Sequence, residues 1–301
     1  MESESVTGAY RFGISPGGET TIEVTAQLFP RQPIERLGIA PMTSMFWFGE
    51  NERRASDEWR EEIHDSDGLA MHSGQGEWIW RPLTNPTALR FNAFADHNPR
   101  GFGLMQRDRD FRSYEDVEAR YERRPSAWVK PVGDWGPGRV ELVQLPTPDE
   151  THDNIVAYWV PQQLPAAGTP LEFAYELSWQ GDAQQRPPGS WATQSRRGVG
   201  YTQQDAATLA SQVQYVIDFQ GPALDALPPD AAVKAVVTAA GSGRVIEQIA
   251  YRNPASPNQK GWRMTVRVQR DNTAQPVELR AFLQHGNDIV SETWTNIILP
   301  E

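Results

Sequence analysis

The chain has 301 residues with 28 basic and 39 acidic side chains, and its net charge of -11 argues against nucleic acid as a partner, because affinity for a phosphate backbone depends on basic clusters. It contains no cysteine, which excludes a disulfide framework, a thiolate metal site and a thiol nucleophile. Its apolar runs are short, and none approaches the ~20 residues that a membrane-spanning helix requires.

Composition divides the chain into two segments. Residues 191–301 hold 10 acidic and 10 basic side chains, so the whole net negative charge lies in residues 1–190. Pro187, Pro188 and Gly189 stand between the two compositions and are typical of a linker, because proline cannot donate a ladder hydrogen bond. We therefore predict two domains, residues 1–187 and 192–301, with a boundary near residues 186–192.

The first segment is predicted to be β-rich, with one helix. Its strand candidates are rich in β-branched and aromatic residues and are bounded by Gly, Pro and Asp. They are Thr20–Phe29, Gly76–Trp80, Val140–Leu145, Asn154–Val160 and Leu171–Trp179. Ser113 followed by Asp116 resembles a capping box, and Pro125 lies just beyond the helix formers, so the pattern predicts a helix over Tyr114–Glu122.

The second segment shows strand periodicity. Apolar and polar residues alternate through Trp262–Gln269, which predicts a strand with its apolar side chains on one sheet face and its arginines in water. Val213–Phe219 and Val277–Leu283 show weaker versions of this pattern. About 110 residues of short alternating strands are typical of a small immunoglobulin-like β-sandwich.

The densest polar cluster is His64-Asp65-Ser66-Asp67-Gly68. One interpretation is an Asx-type turn, in which the two carboxylates bond nearby backbone amides. The other is a loop whose ionisable groups carry function. The Asp-x-Asp-Gly spacing resembles part of a calcium loop, but the glutamate expected at loop position 12 is absent. We predict no metal and no cofactor.

A second candidate is the strand Glu77-Trp78-Ile79-Trp80-Arg81. Side chains alternate along a strand, so Trp78 and Trp80 share one face while Glu77 and Arg81 share the other. The two indoles are either core residues or platforms on which sugar rings stack, with charged side chains bonding the hydroxyls. Lys130 is the single lysine before residue 191, which favours a neutral polyhydroxylated ligand over an anion.

Arg107 and Arg109 lie in an alternating charge run after an apolar segment. Such runs are usually solvated ion-pair faces, but in a cleft the two arginines could bond sugar hydroxyls or orient a carboxylic acid. The sequence has no Gly-x-Ser-x-Gly elbow, no P-loop and no dinucleotide fingerprint.

Six blocks, in order along the chain, resemble the periplasmic glucan biosynthesis protein G and D family. The blocks are Ala40–Phe46, His64–Leu69, Gly76–Leu83, Asn98–Leu104, Arg107–Phe111 and Asp149–Trp159. The resemblance implies an all-β fold in which part of a galactose-mutarotase-like sandwich precedes an immunoglobulin-like sandwich. Family members are longer and begin with a signal peptide, so the chain is expected to correspond to their C-terminal part and to act in the periplasm.

The resemblance also implies a role in making osmoregulated periplasmic glucans, whose backbone is β-1,2-linked glucose. It assigns Asp65 as the general acid of an endo-acting, inverting β-1,2-glucan hydrolase. The predicted substrate-binding residues are His64, Asp67, Glu77, Trp78, Trp80, Arg81, Arg107 and Arg109.

An acid at Asp65 requires a raised pKa, from burial or from a neighbouring charge such as Asp67. His64 is expected to be neutral or to point away, and the general base is expected upstream of this chain or through a water relay. The alternative is a non-catalytic protein that binds or scaffolds nascent glucan. Further candidate partners are other periplasmic or inner-membrane glucan-synthesis proteins.

Overall fold

The computed structural model describes residues 1–52, 57–200 and 205–300, and strands dominate it. The first ten are β1 (Val6–Ser15), β2 (Thr20–Pro30), β3 (Ile39–Ser44), β4 (Phe46–Phe48), β5 (Ile63–His64), β6 (Gly68–His72), β7 (Trp78–Pro82), β8 (Arg90–His97), β9 (Gly101–Met105) and β10 (Ser126–Val132).

The later strands are β11 (Pro137–Gln144), β12 (Ile155–Pro161), β13 (Leu171–Gln180), β14 (Trp191–Gly198), β15 (Gln212–Gln220), β16 (Val233–Gly241), β17 (Gly243–Arg252), β18 (Trp262–Arg270), β19 (Val277–His285), β20 (Asp288–Ile289) and β21 (Thr293–Ile298). The short helices are α1 (Phe111–Tyr114), α2 (Ala206–Ala210) and α3 (Pro222–Asp225). The prediction of an all-β protein is confirmed. No helix in the described part of the chain is long and apolar enough to cross a membrane.

The chain forms two compact units. The first contains Met1–Trp47, Glu62–Glu77 and Leu83–Gln185, and the second contains Phe48–Glu61, Trp78–Pro82 and Arg186–Glu301. The last segment of the second unit thus begins at Arg186. Composition gave no reason to assign the two short segments, Phe48–Glu61 and Trp78–Pro82, to the second unit.

The first unit is built from two antiparallel sheets. One has the strand order β1-β2-β13-β10-β9-β6, and the other has the order β3-β12-β11-β8. Side chains of β2 alternate between buried Val24, Ala26 and Leu28 and exposed polar neighbours, as expected of a strand with one face on the core.

Trp135, in the loop after β10, joins the two sheets of this unit. Its ring lies 6.1 Å from Trp159 of the four-stranded sheet, and 6.0 and 6.1 Å from Phe173 and Tyr175 of the six-stranded sheet. Its indole N–H donates to the carbonyl of Ala174 at 3.2 Å. The core of the first unit is therefore an aromatic layer between two facing sheets, as in a β-sandwich.

The second unit also contains two sheets, with the orders β7-β21-β19-β16 and β14-β15-β18-β17. The β7–β21 pair is parallel, whereas β21 and β19 are antiparallel. Trp294 of β21 is fully buried. Its ring meets Tyr215 of β15 edge-on at 5.2 Å, and its indole N–H donates to Ser195 at 2.9 Å, so it links the two sheets of this unit.

The predicted helix over Tyr114–Glu122 is wrong. The helix α1 is a single turn, capped by Asp110 rather than Ser113, and it ends at Tyr114 because Glu115 adopts the left-handed conformation (φ 54°). The carboxylate of Asp116 then accepts bonds from the amides of Glu118 and Ala119, which closes a turn. Asp116 does accept bonds from backbone amides, but these bonds close a turn in a loop and do not begin a helix.

The expectation that the arginines of Trp262–Gln269 lie in water is also wrong. Arg267 is buried, and its guanidinium lies 3.2 Å from the carboxylate of Glu247. Arg263 is half-buried and donates two hydrogen bonds of 2.7 Å to Asp218. Both faces of this central strand are covered, so the polar positions are filled by paired charges rather than by solvated ones.

Candidate active site

Asp65 lies in the short connection between β5 and β6, which backbone hydrogen bonds fix at both ends. Its amide donates to the carbonyl of Met45 at 2.8 Å, and the amide of Asp67 donates to the carbonyl of Met105 at 2.9 Å. The hydroxyl of Ser44, the last residue of β3, donates to that of Ser66 at 2.8 Å. The connection is therefore tied to both sheets of the first unit.

Asp67 acts as the anchor of this connection. Its carboxylate oxygens accept hydrogen bonds from the amide of Arg107 at 3.1 and 3.2 Å, and from the amide of Asp108 at 3.1 Å. These amides lie 40 and 41 residues further along the chain, so the contact joins distant segments, whereas in an Asx-type turn the carboxylate bonds an amide nearby in sequence. The Asx-turn interpretation is therefore wrong for Asp67.

A pocket of about 240 Å³ lies beside Asp65, within the first unit. Both sheets and their connecting loops contribute to its wall. The lining residues are Thr43, Ser44, Asp65, Ser66, Leu104, Arg124, Pro125, Ala127, Asp153 and Trp179. The wall thus brings together two carboxylates, one guanidinium, three hydroxyls and one indole.

Burial raises the pKa of Asp65. The nearby guanidinium of Arg124 opposes this shift, whereas the negative charges of Asp153 and Glu150 add to it, and the pKa remains above its ordinary value of 3.8. The Asp65 side chain is 27% exposed, and its Oδ1 lies 3.2 Å from Nε of Arg124, but neither atom makes a hydrogen bond within the described residues. Asp65 therefore keeps its proton to a higher pH than a free aspartic acid does.

Asp153 is the second carboxylate of the pocket, and its neighbour fixes its place. The buried side chain of Asn154 accepts from the amide of Phe46 at 2.8 Å and donates to the carbonyls of Phe46 and Leu145 at 3.0 Å each. These three bonds hold the start of β12 against β4. No sequence pattern singled out Asp153, although it stands in the acidic block Asp149–Trp159 just before a predicted strand.

Trp179 is the aromatic face of the pocket, and no sequence pattern marked it as a binding residue. It lies near the end of β13 and is 39% exposed. Trp78 and Trp80, which were predicted as sugar platforms, are buried members of β7 in the second unit. A buried indole has no free face for a sugar ring, so the core interpretation describes these two residues.

The other predicted binding residues are spread over both units. Arg81 is buried in the second unit, where it pairs with Glu278; burial lowers the pKa of Arg81 and raises that of Glu278. Glu77 belongs to the first unit, where its amide donates to the hydroxyl of Ser73 at 3.0 Å. None of Arg81, Glu77 and the two β7 tryptophans is among the pocket-lining residues.

Arg109 and Arg107 support the pocket from behind. Arg109 donates to the backbone carbonyl of Arg124 at 2.9 Å and to the carboxylate of Asp182 at 2.7 Å. Arg107 is buried, and its amide bonds Asp67. These contacts position Arg124 and the Asp65 connection. Within the described residues there is no cluster of three or more side chains suited to a metal ion.

His64 lies behind Asp65, inside the first unit. Its side chain has no exposed surface, and it is not part of the pocket wall. The ring nitrogens lie 2.9 Å from Glu62 Oε2 and 2.9 Å from Gln106 Oε1. His64 can therefore reach a ligand only through its neighbours.

Together, the fold and the pocket define an all-β protein with a two-carboxylate, tryptophan-faced pocket in its first unit. The chain belongs to the family described as periplasmic glucan biosynthesis protein, MdoG, whose model matches residues 1–297. The resemblance found in the sequence is thereby confirmed.

Named relatives agree with this assignment. The chain is 51% identical over 302 residues to a glucans biosynthesis protein G of Ralstonia nicotianae, covering 100% of this chain and 59% of that protein. It is 46% identical over 305 residues to proteins of the same name from Pseudomonas paraeruginosa and Pseudomonas aeruginosa, covering 98% of this chain and 57% of each. The chain thus spans less than two thirds of the length of these relatives.

Proposed function

We propose that this chain is the pocket-bearing part of a periplasmic protein that makes or processes osmoregulated glucans, and that it cleaves β-1,2-linked glucan. The observation that carries the proposal is the pocket shared by Asp65 and Asp153, in which the pKa of Asp65 is raised. Family membership supports the involvement with glucan.

The two carboxylates suit acid–base chemistry. Hydrolysis of a glycosidic bond requires one carboxylic acid to protonate the leaving oxygen and, in an inverting enzyme, a second carboxylate to activate water. The raised pKa fits Asp65 to the acid role. Asp153 then takes the role of base, directly or through bound water, and this assignment replaces the expected base upstream of the chain.

The rest of the wall suits a neutral sugar. The exposed indole of Trp179 offers an apolar face for a pyranose ring, and Thr43 and Ser44 supply hydroxyl groups. At about 240 Å³, the pocket is smaller than the ~300–1,000 Å³ of sites for drug-sized ligands. It therefore suits one sugar ring at the reacting position, with the rest of the glucan lying outside it.

The test is to incubate linear β-1,2-glucan with this chain and, in parallel, with the complete Ralstonia relative carrying the matched substitutions. Asp65→Asn and Asp153→Asn are each expected to lower the rate of new reducing ends by about 10²–10⁴-fold, the usual contribution of a general acid or base. Asp149→Asn is the matched control, because Asp149 lies in the same loop but outside the pocket wall.

Equal product release by wild type and both pocket variants would contradict the catalytic roles of Asp65 and Asp153. To separate the roles, an activated glucoside with a good leaving group is used, since it no longer needs the acid. Its cleavage should persist in Asp65→Asn and fail in Asp153→Asn. The reverse pattern would exchange the two assignments.

The alternative is a non-catalytic protein that holds nascent glucan for other periplasmic or inner-membrane synthesis proteins. The exposed Trp179 favours binding without implying cleavage. Calorimetric binding of β-1,2-glucan with no change in its chain length would support this alternative. Lack of binding by both the chain and the complete relative would contradict both proposals.

A further inference from the structure

His64 is held between two hydrogen-bond acceptors in the interior of the first unit. Its ring stacks on Phe46 at 5.3 Å and meets Tyr114 edge-on at 5.2 Å. The nitrogen Nε2 lies 2.9 Å from Glu62 Oε2, and Nδ1 lies 2.9 Å from Gln106 Oε1. Both ring nitrogens thus have an oxygen partner, and the side chain has no exposed surface.

The neighbours of Gln106 fix which end of its amide faces His64. Its Nε2 lies 2.9 Å from the carbonyl oxygen of His64, 3.0 Å from that of Tyr121 and 3.0 Å from the hydroxyl of Tyr114. Carbonyl oxygens can only accept, so the NH2 group must face them. The amide oxygen therefore faces Nδ1, and because this oxygen can only accept, Nδ1 must carry a proton.

We infer that His64 is a positioning residue for Asp65: its Nδ1–H donates to Gln106, and one proton lies between its Nε2 and Glu62. Nε2 and Glu62 Oε2 are 2.9 Å apart, and two acceptor atoms at this distance would repel each other unless one of them carried a proton. The titratable groups around the ring are Glu62, Asp65, Tyr114 and Tyr121.

The positioning follows from the chain order. Asp65 is the next residue, and its amide is already bonded to Met45. The His64 ring ties the segment before Asp65 to Gln106, whose side chain in turn holds the backbone of Tyr121. The ring of Tyr121 lies 5.3 Å below the guanidinium of Arg124. One buried network thus positions both Asp65 and Arg124, which face each other in the pocket.

The protonation state is tested directly by long-range 1H–15N NMR of the chain labelled at its five histidines. The His64 signals are assigned by their loss in His64→Gln. Nδ1 of His64 is expected to give the signal of a protonated nitrogen. A pyridine-like Nδ1 would overturn the inference, and this readout requires no enzyme activity.

Glu62→Gln tests the partner. A glutamine amide can donate to a ring nitrogen, so this variant keeps the shape while removing the carboxylate. The Nε2 signal of His64 is then expected to shift, while Nδ1 stays protonated. An unchanged Nε2 signal in Glu62→Gln would show that Glu62 is not the partner of this nitrogen. Glu61→Gln, an exposed neighbour, is the matched control and should leave both signals unchanged.

The positioning role rests on the proposed glucan cleavage and has its own readout. Glu62→Gln is expected to lower kcat about 10–100-fold with little change in KM, as for a misplaced catalytic group. Unchanged kcat in a variant whose NMR spectrum has changed would overturn the positioning role. If the wild type shows the protonated Nδ1 signal but no cleavage, the proposed function fails and the assignment of the His64 proton does not.

Discussion

Asp67 offers the sharpest test of how the site is built, because binding and structural roles predict opposite results. In Asp67→Ala, the amides of Arg107 and Asp108 lose the carboxylate that accepts their three contacts of 3.1–3.2 Å. A hydrogen bond to a charged group contributes about 1.5–3 kcal/mol. Because the site is half-buried and water replaces part of the loss, we expect a destabilisation of about 2–4 kcal/mol.

For a unit of this size, that loss lowers the midpoint temperature of unfolding by about 4–16 °C, which differential scanning calorimetry would measure. Asp67→Asn keeps one acceptor oxygen and should lose less than half as much. Weakened glucan binding with an unchanged transition in Asp67→Ala would refute the anchoring role and restore Asp67 as a contact for substrate.

Three further predictions concern the first unit. Asp65→Asn should be more stable than wild type at pH 7 in chemical denaturation. Burial raises the folded-state pKa of Asp65 above 3.8, so ionisation of this carboxyl group lowers the free energy of unfolding. The difference should vanish below pH 3.8, where Asp65 is protonated in both the folded and the unfolded state. Gly138→Ala would place Cβ 2.4 Å from the buried indole of Trp159 and should cost about 1–3 kcal/mol, whereas Gly181→Ala, with open space around it, should not. Trp179→Ala should weaken glucan binding about tenfold in calorimetry, unlike Trp59→Ala.

Each of these has an outcome that would contradict it. A stability gain of Asp65→Asn that persists at pH 3 would mean that burial of the charge is not its cause. Equal stability of the two glycine variants would show that the β11 backbone can move away from the indole. Equal glucan affinity of both tryptophan variants would remove the stacking role of the pocket indole.

Strands were predictable because their signal is local. β-Branched and aromatic residues between Gly, Pro and Asp predicted β2 and β13 nearly to the residue. The helix over Tyr114–Glu122 failed because a cap, helix formers and a proline also describe a capped turn. The left-handed conformation of Glu115 is a tertiary effect that these patterns do not encode.

The site was predicted only where one residue carried the signal. Asp65 stood out through its motif, and its raised pKa depends on burial by segments distant in sequence. Asp153 and Trp179 come to the same pocket only through the pairing of β12 and β13 with their sheets. Periodicity placed Trp78 and Trp80 on one strand face, but it could not decide whether that face was covered.

The pairing of β7 with β21 also sets the earliest time, during synthesis of the chain, at which the second unit can complete its fold. The hydroxyl of Thr295 donates to the carbonyl of Trp80, 215 residues earlier in the sequence. At about 5–20 residues per second, roughly 10–40 s of synthesis separate the two partners. During that interval β7 cannot pair with β21, so the second unit completes its sheet only after the last strand has been made. Folding that depends on such distant contacts is slow.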